Sequence, residues 1–84
     1  MHIAIHSIKG TIFEGEAKSL NCKTASGEIT ILDHHRPFIT ILQNKPVKLV
    51  DVSGEEKYFP VASGFLEVQS GNAVRLIVEQ PEKN

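Results

Sequence analysis

Apolar and polar residues alternate along most of this chain with a period of two. Because successive side chains of a strand point to opposite faces, this alternation predicts strands that are buried on one face and mainly polar on the other. The pattern is clearest in three places: Ile3 with Ile5, Leu20 with Cys22, and Val74 with Leu76 and Val78.

Turn-forming residues separate these runs at short intervals, as expected between short strands. The predicted turns are Lys9-Gly10, Glu14-Gly15, Ser26-Gly27, Asn44-Lys45-Pro46, Ser53-Gly54 and Ser70-Gly71-Asn72. The best helix candidate, residues 38–50, is interrupted by Pro46, which removes a backbone donor and blocks continuation of a helix. The pattern therefore predicts no substantial helix.

Eight or more short strands in one small domain indicate two packed sheets or a closed barrel, because a single sheet would leave one apolar face in water. We expect residues 1–80 to form this domain and residues 81–84 to be a polar C-terminal tail. Pro60 interrupts a strand predicted over 55–62, so this strand is expected to lie at an edge or to contain a bulge.

Composition excludes several classes of function. Nine basic and ten acidic residues are interleaved along 84 positions and give a net charge of −1, which argues against nucleic acid as a partner. The lone cysteine, Cys22, excludes an internal disulfide and fits a reducing compartment. We expect no signal peptide and no direct membrane insertion, because the apolar stretches are far shorter than the ~20 residues that a spanning helix needs.

The histidines do not predict a metal site. His2 and His6 share a strand face but lie about 13 Å apart, so we expect them to be solvent-facing edge residues. His34 and His35, with Asp33, offer three nominal ligands, but a zinc site takes rigidly spaced ligands from more than one segment. We interpret Cys22 as a small buried hydrophobe. A metal-binding protein that uses His34 and His35 is the least favoured alternative.

Known catalytic motifs are absent from the sequence. It has no Gly-x-Ser-x-Gly elbow, no supported Cys–His pair and no phosphate-binding loop that ends in Lys-Ser or Lys-Thr. Glu55 and Glu56 fall in a predicted hairpin tip, where a solvated turn is the better interpretation than a pair of catalytic carboxylates. We therefore expect neither catalysis nor a cofactor.

The segment Asp33–Pro37, called the corner from here on, admits two interpretations. Pro37 fixes its own φ angle and holds Arg36 in an extended conformation, which lowers the entropy lost on binding. Arg36 could then offer its planar guanidinium to a partner. Alternatively, the corner is a plain polar turn in which Asp33 and Arg36 satisfy each other. The pattern of residues leaves both open.

Two segments, GEITILDHHRPFITIL at 27–42 and VASGFLEV at 61–68, resemble the signatures of one family, the N-terminal β-sandwich of the F-type ATP synthase epsilon subunit. Three departures are Thr30 for a glycine, Asp33-His34 for Pro-Gly, and Ser63 for a glycine. The matching residues are Gly27, Glu28, Ile29, Ile31, Leu32, His35, Pro37, Ile39, Thr40 and Leu42, then Val61, Gly64, Phe65, Leu66, Glu67 and Val68.

The resemblance implies a flattened β-sandwich of about ten short, mostly antiparallel strands. It also implies a non-catalytic rotor part that lies in the central stalk between the gamma subunit and the membrane c-ring. Positions that match His35 and Thr40 face gamma in the family, and the position that matches Glu28 lies near the c-ring loops. We place Arg36 on the gamma side too, and Asp33 with His34 on the c-ring side, although the family has no counterpart for that pair.

The implied role is to couple ion-driven rotation to ATP synthesis at the cytoplasmic face of the cell membrane, as a peripheral part of the complex. Candidate apolar contributors to the interface are Phe38, Ile41 and Tyr58. Family members commonly continue into an inhibitory helical hairpin, which would begin where this sequence ends at Asn84. We expect a naturally short form that lacks inhibition by this hairpin. A stand-alone β-sandwich adaptor for an unrelated protein remains an alternative.

Overall fold

Eight strands account for the alternating segments of the chain. The computed structural model describes residues 1–81 and contains no helix among them, so the all-β class is confirmed. Residues 82–84, most of the predicted polar tail, lie outside the described residues. The strands are β1 His2–Ser7, β2 Gly10–Thr24, β3 Gly27–Leu32, β4 Phe38–Leu42, β5 Val47–Asp51, β6 Glu56–Phe59, β7 Ser63–Gln69 and β8 Ala73–Glu79.

The longest strand, β2, contributes to both halves of the fold. Its first part, residues 10–16, pairs with β1, and the remainder pairs with β3 on one side and β5 on the other. All eight strands belong to one continuous hydrogen-bonded sheet, in which Thr24 of β2 also pairs with Leu42 of β4. For its two layers, we call β1, β4, β7, β8 and residues 10–16 the first sheet, and residues 17–24 with β3, β5 and β6 the second sheet. A register shift between Ala17 and Ser19 marks the passage, as expected where a bulge bends a strand.

The predicted turn at Glu14-Gly15 is wrong, because β2 continues through it. Gly15 pairs with Ile3 of β1, and the ring of Phe13 lies 3.3 Å from the place that a Cβ atom on Gly15 would occupy. The aromatic ring thus covers the glycine and allows the strand to continue. Continuity of β2 is one reason that eight strands are present where about ten were expected.

Neighbouring strands are antiparallel except for β1 and β8, which run parallel. This places β1 between β8 and β2, so the expectation that His2 and His6 are edge residues is wrong. The carboxylates of Glu16 and Glu14 lie within hydrogen-bonding distance of His2, at 2.9 Å from Nδ1 and 3.0 Å from Nε2, and act as acceptors. Those bonds, with Glu16 the larger cause, raise the pKa of His2 above its usual 6.5.

The inward faces of the two sheets form one apolar core. The shortest extent of the Cα trace is 20 Å, as expected for two layers about 10 Å apart. Burial of each aliphatic side chain contributes about 1.5–3 kcal/mol. The core comprises Met1, Ile3, Ile5, Ala17, Leu20, Cys22, Ile31, Leu42, Val47, Leu49, Val61, Leu66, Val68, Val74, Leu76 and Val78.

Two buried residues of β2, Thr24 and Cys22, carry a hydrogen-bonding or titratable side chain. Thr24 donates a hydrogen bond from Oγ1 to the Gly27 carbonyl at 2.8 Å and accepts one from the Ser26 amide at 3.1 Å. Cys22 is 1 % exposed, which confirms its interpretation as a small buried hydrophobe. Burial raises the pKa of the Cys22 thiol to about 11.

Pro60 follows the last residue of β6. Among residues 1–81 this strand pairs only with β5, so it lies at an edge, as predicted. Phe59 at the end of β6 packs against Phe13 of β2, with ring centroids 5.5 Å apart. Because Phe13 belongs to the first sheet and Phe59 to the second, this aromatic pair joins the two sheets.

Gly64 of β7 is required by its surroundings. Its φ angle is +148°, and a Cβ atom there would lie 2.3 Å from the Ile77 carbonyl oxygen and 2.8 Å from the Val78 Cα. Both neighbours are backbone atoms of the paired strand β8, so they cannot move aside without disturbing the sheet.

We predict that Gly64→Ala lowers the free energy of unfolding by about 2 kcal/mol or more, through backbone strain and the clash with β8. Gly54→Ala is the matched control, since Gly54 also has a positive φ of +92° but has nothing within 4 Å of the added methyl. Gly54→Ala should lower the free energy of unfolding distinctly less than Gly64→Ala does. Urea unfolding measures both, and equal losses for the two variants would contradict the role of the clash.

We predict that the Cys22 thiol resists alkylation in the folded protein. Since the reactive species is the thiolate, a thiol with a pKa of about 11 should react at least ~100-fold more slowly near neutral pH than an exposed cysteine. Mass spectrometry after iodoacetamide treatment measures this, with protein unfolded in urea as the control. Equal rates in the folded and unfolded protein would contradict the buried position.

Candidate functional site

The corner connects β3 to β4, and all five of its residues are exposed. His34 has a φ angle of +62°, in the left-handed region that favours glycine. Asn72, in the turn between β7 and β8, has a φ angle of +60°. Its side-chain oxygen accepts a hydrogen bond from the His34 amide at 2.7 Å, and its Nδ2 donates to Asp33 Oδ1 at 3.3 Å. Asn72 therefore joins the two loops.

The α-amino group of Met1 is the third member of this network. It donates to Asp33 Oδ1 at 2.6 Å and to the Ala17 carbonyl at 3.0 Å. Met1 itself is 6 % exposed and belongs to the core. The hydrogen bonds from the amino group and then from Asn72 hold the pKa of Asp33 below its usual 3.8. The corner is thereby tied to the core.

This network corrects one interpretation of the corner. Asp33 does not pair with Arg36, since its carboxylate bonds to the amino terminus and to Asn72. Within residues 1–81, no carboxylate lies within 4.0 Å of the Arg36 guanidinium. Arg36 is thus left available to a partner.

His35 fixes the middle of the corner. Its Nδ1 lies 2.8 Å from the Arg36 carbonyl, which can only accept, so Nδ1 carries the proton. The imidazole also packs on the ring of Phe38, with centroids 5.0 Å apart and planes inclined at 44°. Together with Pro37, these contacts define the conformation of the loop.

Next to the corner, the outer face of the first sheet carries four exposed apolar side chains. Ile41 of β4 lies directly opposite Phe65 of β7, which lies opposite Ile77 of β8, so these three form one row. Ile39 adds to it on β4. Their exposed fractions are 68 % for Ile39, 63 % for Ile41, 48 % for Phe65 and 38 % for Ile77. We call these four residues the apolar face. Contiguous exposed apolar side chains commonly mark an interaction surface.

The other candidate apolar residues lie elsewhere. Phe38 is half-buried against the core, and Tyr58 lies on the outer face of the second sheet, where it is 60 % exposed. Thr40 alternates with Ile39 and Ile41, so its half-buried side chain points to the inner side of β4. Of the three residues named from the sequence as apolar contributors, only Ile41 belongs to the apolar face.

Glu28 is not close to the corner. It lies beside the β2–β3 turn, whereas Asp33 follows the far end of β3. Five residues of extended strand separate the two by about 17 Å. The structure therefore does not bring Glu28 together with Asp33 and His34, the other two residues assigned to the c-ring side.

Sequence reasoning missed Asn72, the Met1 amino group and three of the four apolar-face residues. Asn72 and Met1 reach the corner from distant parts of the chain, and no local pattern reveals such contacts. A signal did exist for Ile77, which lies within the continuous run Leu76-Ile77-Val78. An apolar residue in an outward-facing position of an alternating strand predicts an exposed apolar surface.

Metal sites and membrane-spanning helices have definite structural requirements, against which residues 1–81 can be compared. Within residues 1–81, no group of three or more His, Cys, Asp or Glu side chains is placed to hold a metal ion. The same part of the chain contains no helix that is long and apolar enough to cross a membrane. The exposed features that these residues do present are the corner and the apolar face.

Comparison with known proteins identifies relatives along the whole sequence. Residues 1–84 match the family described as the ATP synthase delta/epsilon chain, beta-sandwich domain. An ATP synthase epsilon chain from Clostridium novyi is 41% identical over 73 residues, which cover 84% of this chain and 56% of the relative. An ATP synthase epsilon chain from Alkalilimnicola ehrlichii is 39% identical over 69 residues, which cover 82% of this chain and 49% of the relative. The chain thus spans about half the length of these curated relatives.

Solved structures share the fold. A chain in the cryo-EM structure of Euglena gracilis mitochondrial ATP synthase superimposes with a TM-score of 0.85 at 17% identity, over 90% of this chain and 48% of that one. A chain in the Tetrahymena thermophila mitochondrial ATP synthase central stalk and c-ring structure superimposes with a TM-score of 0.78 at 17% identity. The match covers 95% of this chain and 63% of that one. At this identity the likeness establishes the β-sandwich fold.

We predict that Asp33→Asn destabilises the protein at neutral pH and that this difference shrinks in acid. Because the folded pKa is lowered, the charged carboxylate contributes stability above the unfolded value of 3.8, and this contribution is lost as the pH falls through the folded pKa. Urea unfolding of both proteins between about pH 7 and about pH 2.5 measures the difference. A difference that stays constant over this range would contradict the charge pairing of Asp33.

Proposed function

Because the chain belongs to the ATP synthase delta/epsilon chain beta-sandwich family, we propose that it serves in the central stalk as a non-catalytic rotor part that bridges the gamma subunit and the c-ring. In this role it transmits ion-driven rotation to the sites of ATP synthesis. It acts at the cytoplasmic face of the membrane through its protein partners. The observation that carries the proposal is the apolar face next to a corner of fixed conformation.

The apolar face is the surface that we assign to the gamma subunit. A stable interface commonly buries more than about 1,000 Å², and its centre is apolar and depleted in charge. Ile41, Phe65 and Ile77 supply such a centre in one row across three strands. The Arg75–Glu67 ion pair, with its closest atoms 2.8 Å apart, lies beside them and gives the surface a polar margin.

The corner extends this surface. It leads directly into β4, so His35 and Arg36 lie at the Ile39 end of the apolar face, whereas the row of Ile41, Phe65 and Ile77 lies towards the other end of β4. These two residues therefore form the polar rim on the gamma side. Thr40 is half-buried on the inner side of β4, so it does not belong to the apolar face.

Glu28 is the residue that we assign to the c-ring. It is exposed beside the β2–β3 turn, at the end of β3 away from the corner. Glu28 lies one length of β3 away from the corner, but the apolar face reaches the same turn, because the Ala25 amide donates a hydrogen bond to the Ile41 carbonyl at 3.2 Å. The region assigned to the c-ring and the surface assigned to gamma therefore adjoin at the β2–β3 turn. Asp33 is bonded to the amino terminus and Asn72, so its role is to support the corner.

The rigidity of the domain suits a mechanical role. Torque passes between two partners without loss only when the part between them does not deform, and a core packed to crystal-like density is poorly compressible. The buried residues come from strands of both sheets, and β2 runs through both. The two contact regions are therefore connected through continuous hydrogen-bonded strands.

We predict that Ile41→Lys weakens binding to the cognate gamma subunit by at least about tenfold, because a charge at the centre of an apolar interface loses its hydration. The matched control is Tyr58→Lys, a strand residue with a similar exposed fraction, 60 % against 63 %, on the opposite outer face. It should bind like the wild type. Calorimetry with purified gamma subunit measures the dissociation constants, and urea unfolding verifies that both variants fold.

Two results would contradict the proposal. Wild-type protein that binds neither gamma nor the c-ring would leave a β-sandwich adaptor for another partner as the better account. A loss of gamma binding in Tyr58→Lys together with unchanged binding in Ile41→Lys would transfer the gamma surface to the second sheet.

A further inference from the structure

A shallow, open cleft of about 500 Å³ lies between the corner and the turn that connects β7 and β8. Its lining consists of residues 34–37 from the corner and residues 69–72 from the turn. Among residues 1–81, no acidic side chain lines it, while Arg36 supplies a permanent positive charge. The cleft therefore carries a charge that the surrounding side chains do not neutralise.

The acidic residue closest to Arg36 in the sequence is already engaged in other bonds. Asp33 lies three positions away along the chain, but its Oδ1 atom accepts bonds from the Met1 amino group at 2.6 Å and from Asn72 at 3.3 Å. Glu67, on the neighbouring strand β7, is paired with Arg75 at 2.8 Å. Both acidic groups are thus engaged, and the Arg36 guanidinium has no carboxylate within ion-pair distance in residues 1–81.

The walls of the cleft are held in place before any partner arrives. Asn72 bonds to the His34 amide at 2.7 Å across the cleft, and the carbonyl of Asn72 accepts from the His2 amide at 3.0 Å. On the other wall, the His35 ring bonds to the Arg36 carbonyl at 2.8 Å. A site of fixed shape loses less conformational entropy on binding than a mobile loop does.

We propose that this cleft receives the carboxylate of an aspartate or glutamate side chain of the gamma subunit, with Arg36 as the residue that binds it. The guanidinium presents two parallel N–H donors, a geometry that matches the two oxygens of a carboxylate. Asn72 is a positioning residue, which acts by holding the corner against the β7–β8 turn. The inference rests on the proposed function, because the cleft borders the surface that we assign to gamma.

The test is the affinity of the folded chain for purified cognate gamma subunit, measured at several salt concentrations. We expect Arg36→Gln to weaken binding by about tenfold or more and to reduce the salt dependence, since an ion pair is screened by salt. Arg36→Lys should recover only part of the affinity, because lysine keeps the positive charge but lacks the two parallel N–H donors of the guanidinium. Lys45→Gln, an equal change of charge on the exposed β4–β5 connection, is the control and should stay within about twofold.

A double-mutant cycle separates positioning from simple stability. Asn72→Gly removes the amide side chain and keeps a residue that tolerates the left-handed φ of +60°. It should weaken gamma binding when Arg36 is present and have little further effect in the Arg36→Gln background. Equal effects in both backgrounds would contradict the positioning role.

A charge exchange identifies the partner group. Among Asp→Lys and Glu→Lys variants of the exposed acidic residues of gamma, one should restore binding to Arg36→Glu while weakening binding to the wild type. Unchanged affinity and salt dependence in Arg36→Gln would overturn the inference and leave the proposed function standing. Failure of the wild type to bind gamma at all would instead overturn the proposed function.

Discussion

Burial of the inward-facing side chains of β2 is the interaction on which the rest of the structure depends. Leu20 and Cys22 are almost fully buried, and this strand is the one element that belongs to both sheets. An 84-residue chain has little core to spare, because a small domain buries a modest share of its surface. A strand that contributes to two sheets places more of the chain in contact with one core than two separate strands would.

The surface features follow from this arrangement. The inward positions of β4, β7 and β8 supply core residues such as Leu42, Leu66 and Leu76, so the core does not require apolar side chains on the outer face. Ile41 and Phe65 stay exposed there at a cost in solubility. Likewise, His34 and Asn72 hold left-handed conformations, which cost free energy in residues other than glycine. Exposed apolar area and local strain in adjacent regions are typical of a surface that binds a partner.

Much of the fold could be predicted because its determinants are local. Alternation at Ile3 with Ile5, or at Leu76 with Val78, indicates strands wherever it occurs, and turn residues such as Ser26-Gly27 end them. The turn predicted at Glu14-Gly15 is absent because the ring of Phe13 covers the glycine and β1 pairs with the strand at this point. The parallel pairing of β1 with β8 joins the two ends of the domain, and no local pattern encodes it.

The candidate site is also predictable only where its determinants are local in the sequence. The corner stood out through its residue types, and Pro37 indicated its fixed shape. Its stabilising contacts come from Met1 and Asn72, which lie more than 30 residues away from Asp33 in the sequence, in opposite directions. The pairing of Asp33 with Arg36 was a reasonable local expectation, and it is wrong because a buried amino group competes successfully for the carboxylate.

Protection of an introduced cysteine tests most directly whether the outer face of the first sheet docks on gamma. Because the native Cys22 is buried, Ile41→Cys and Tyr58→Cys would each add one reactive thiol, on opposite faces. Their alkylation rates are measured with and without the gamma subunit. The account predicts that gamma slows the reaction at position 41 and leaves position 58 unchanged. Equal rates at position 41 in the free and gamma-bound protein would contradict it.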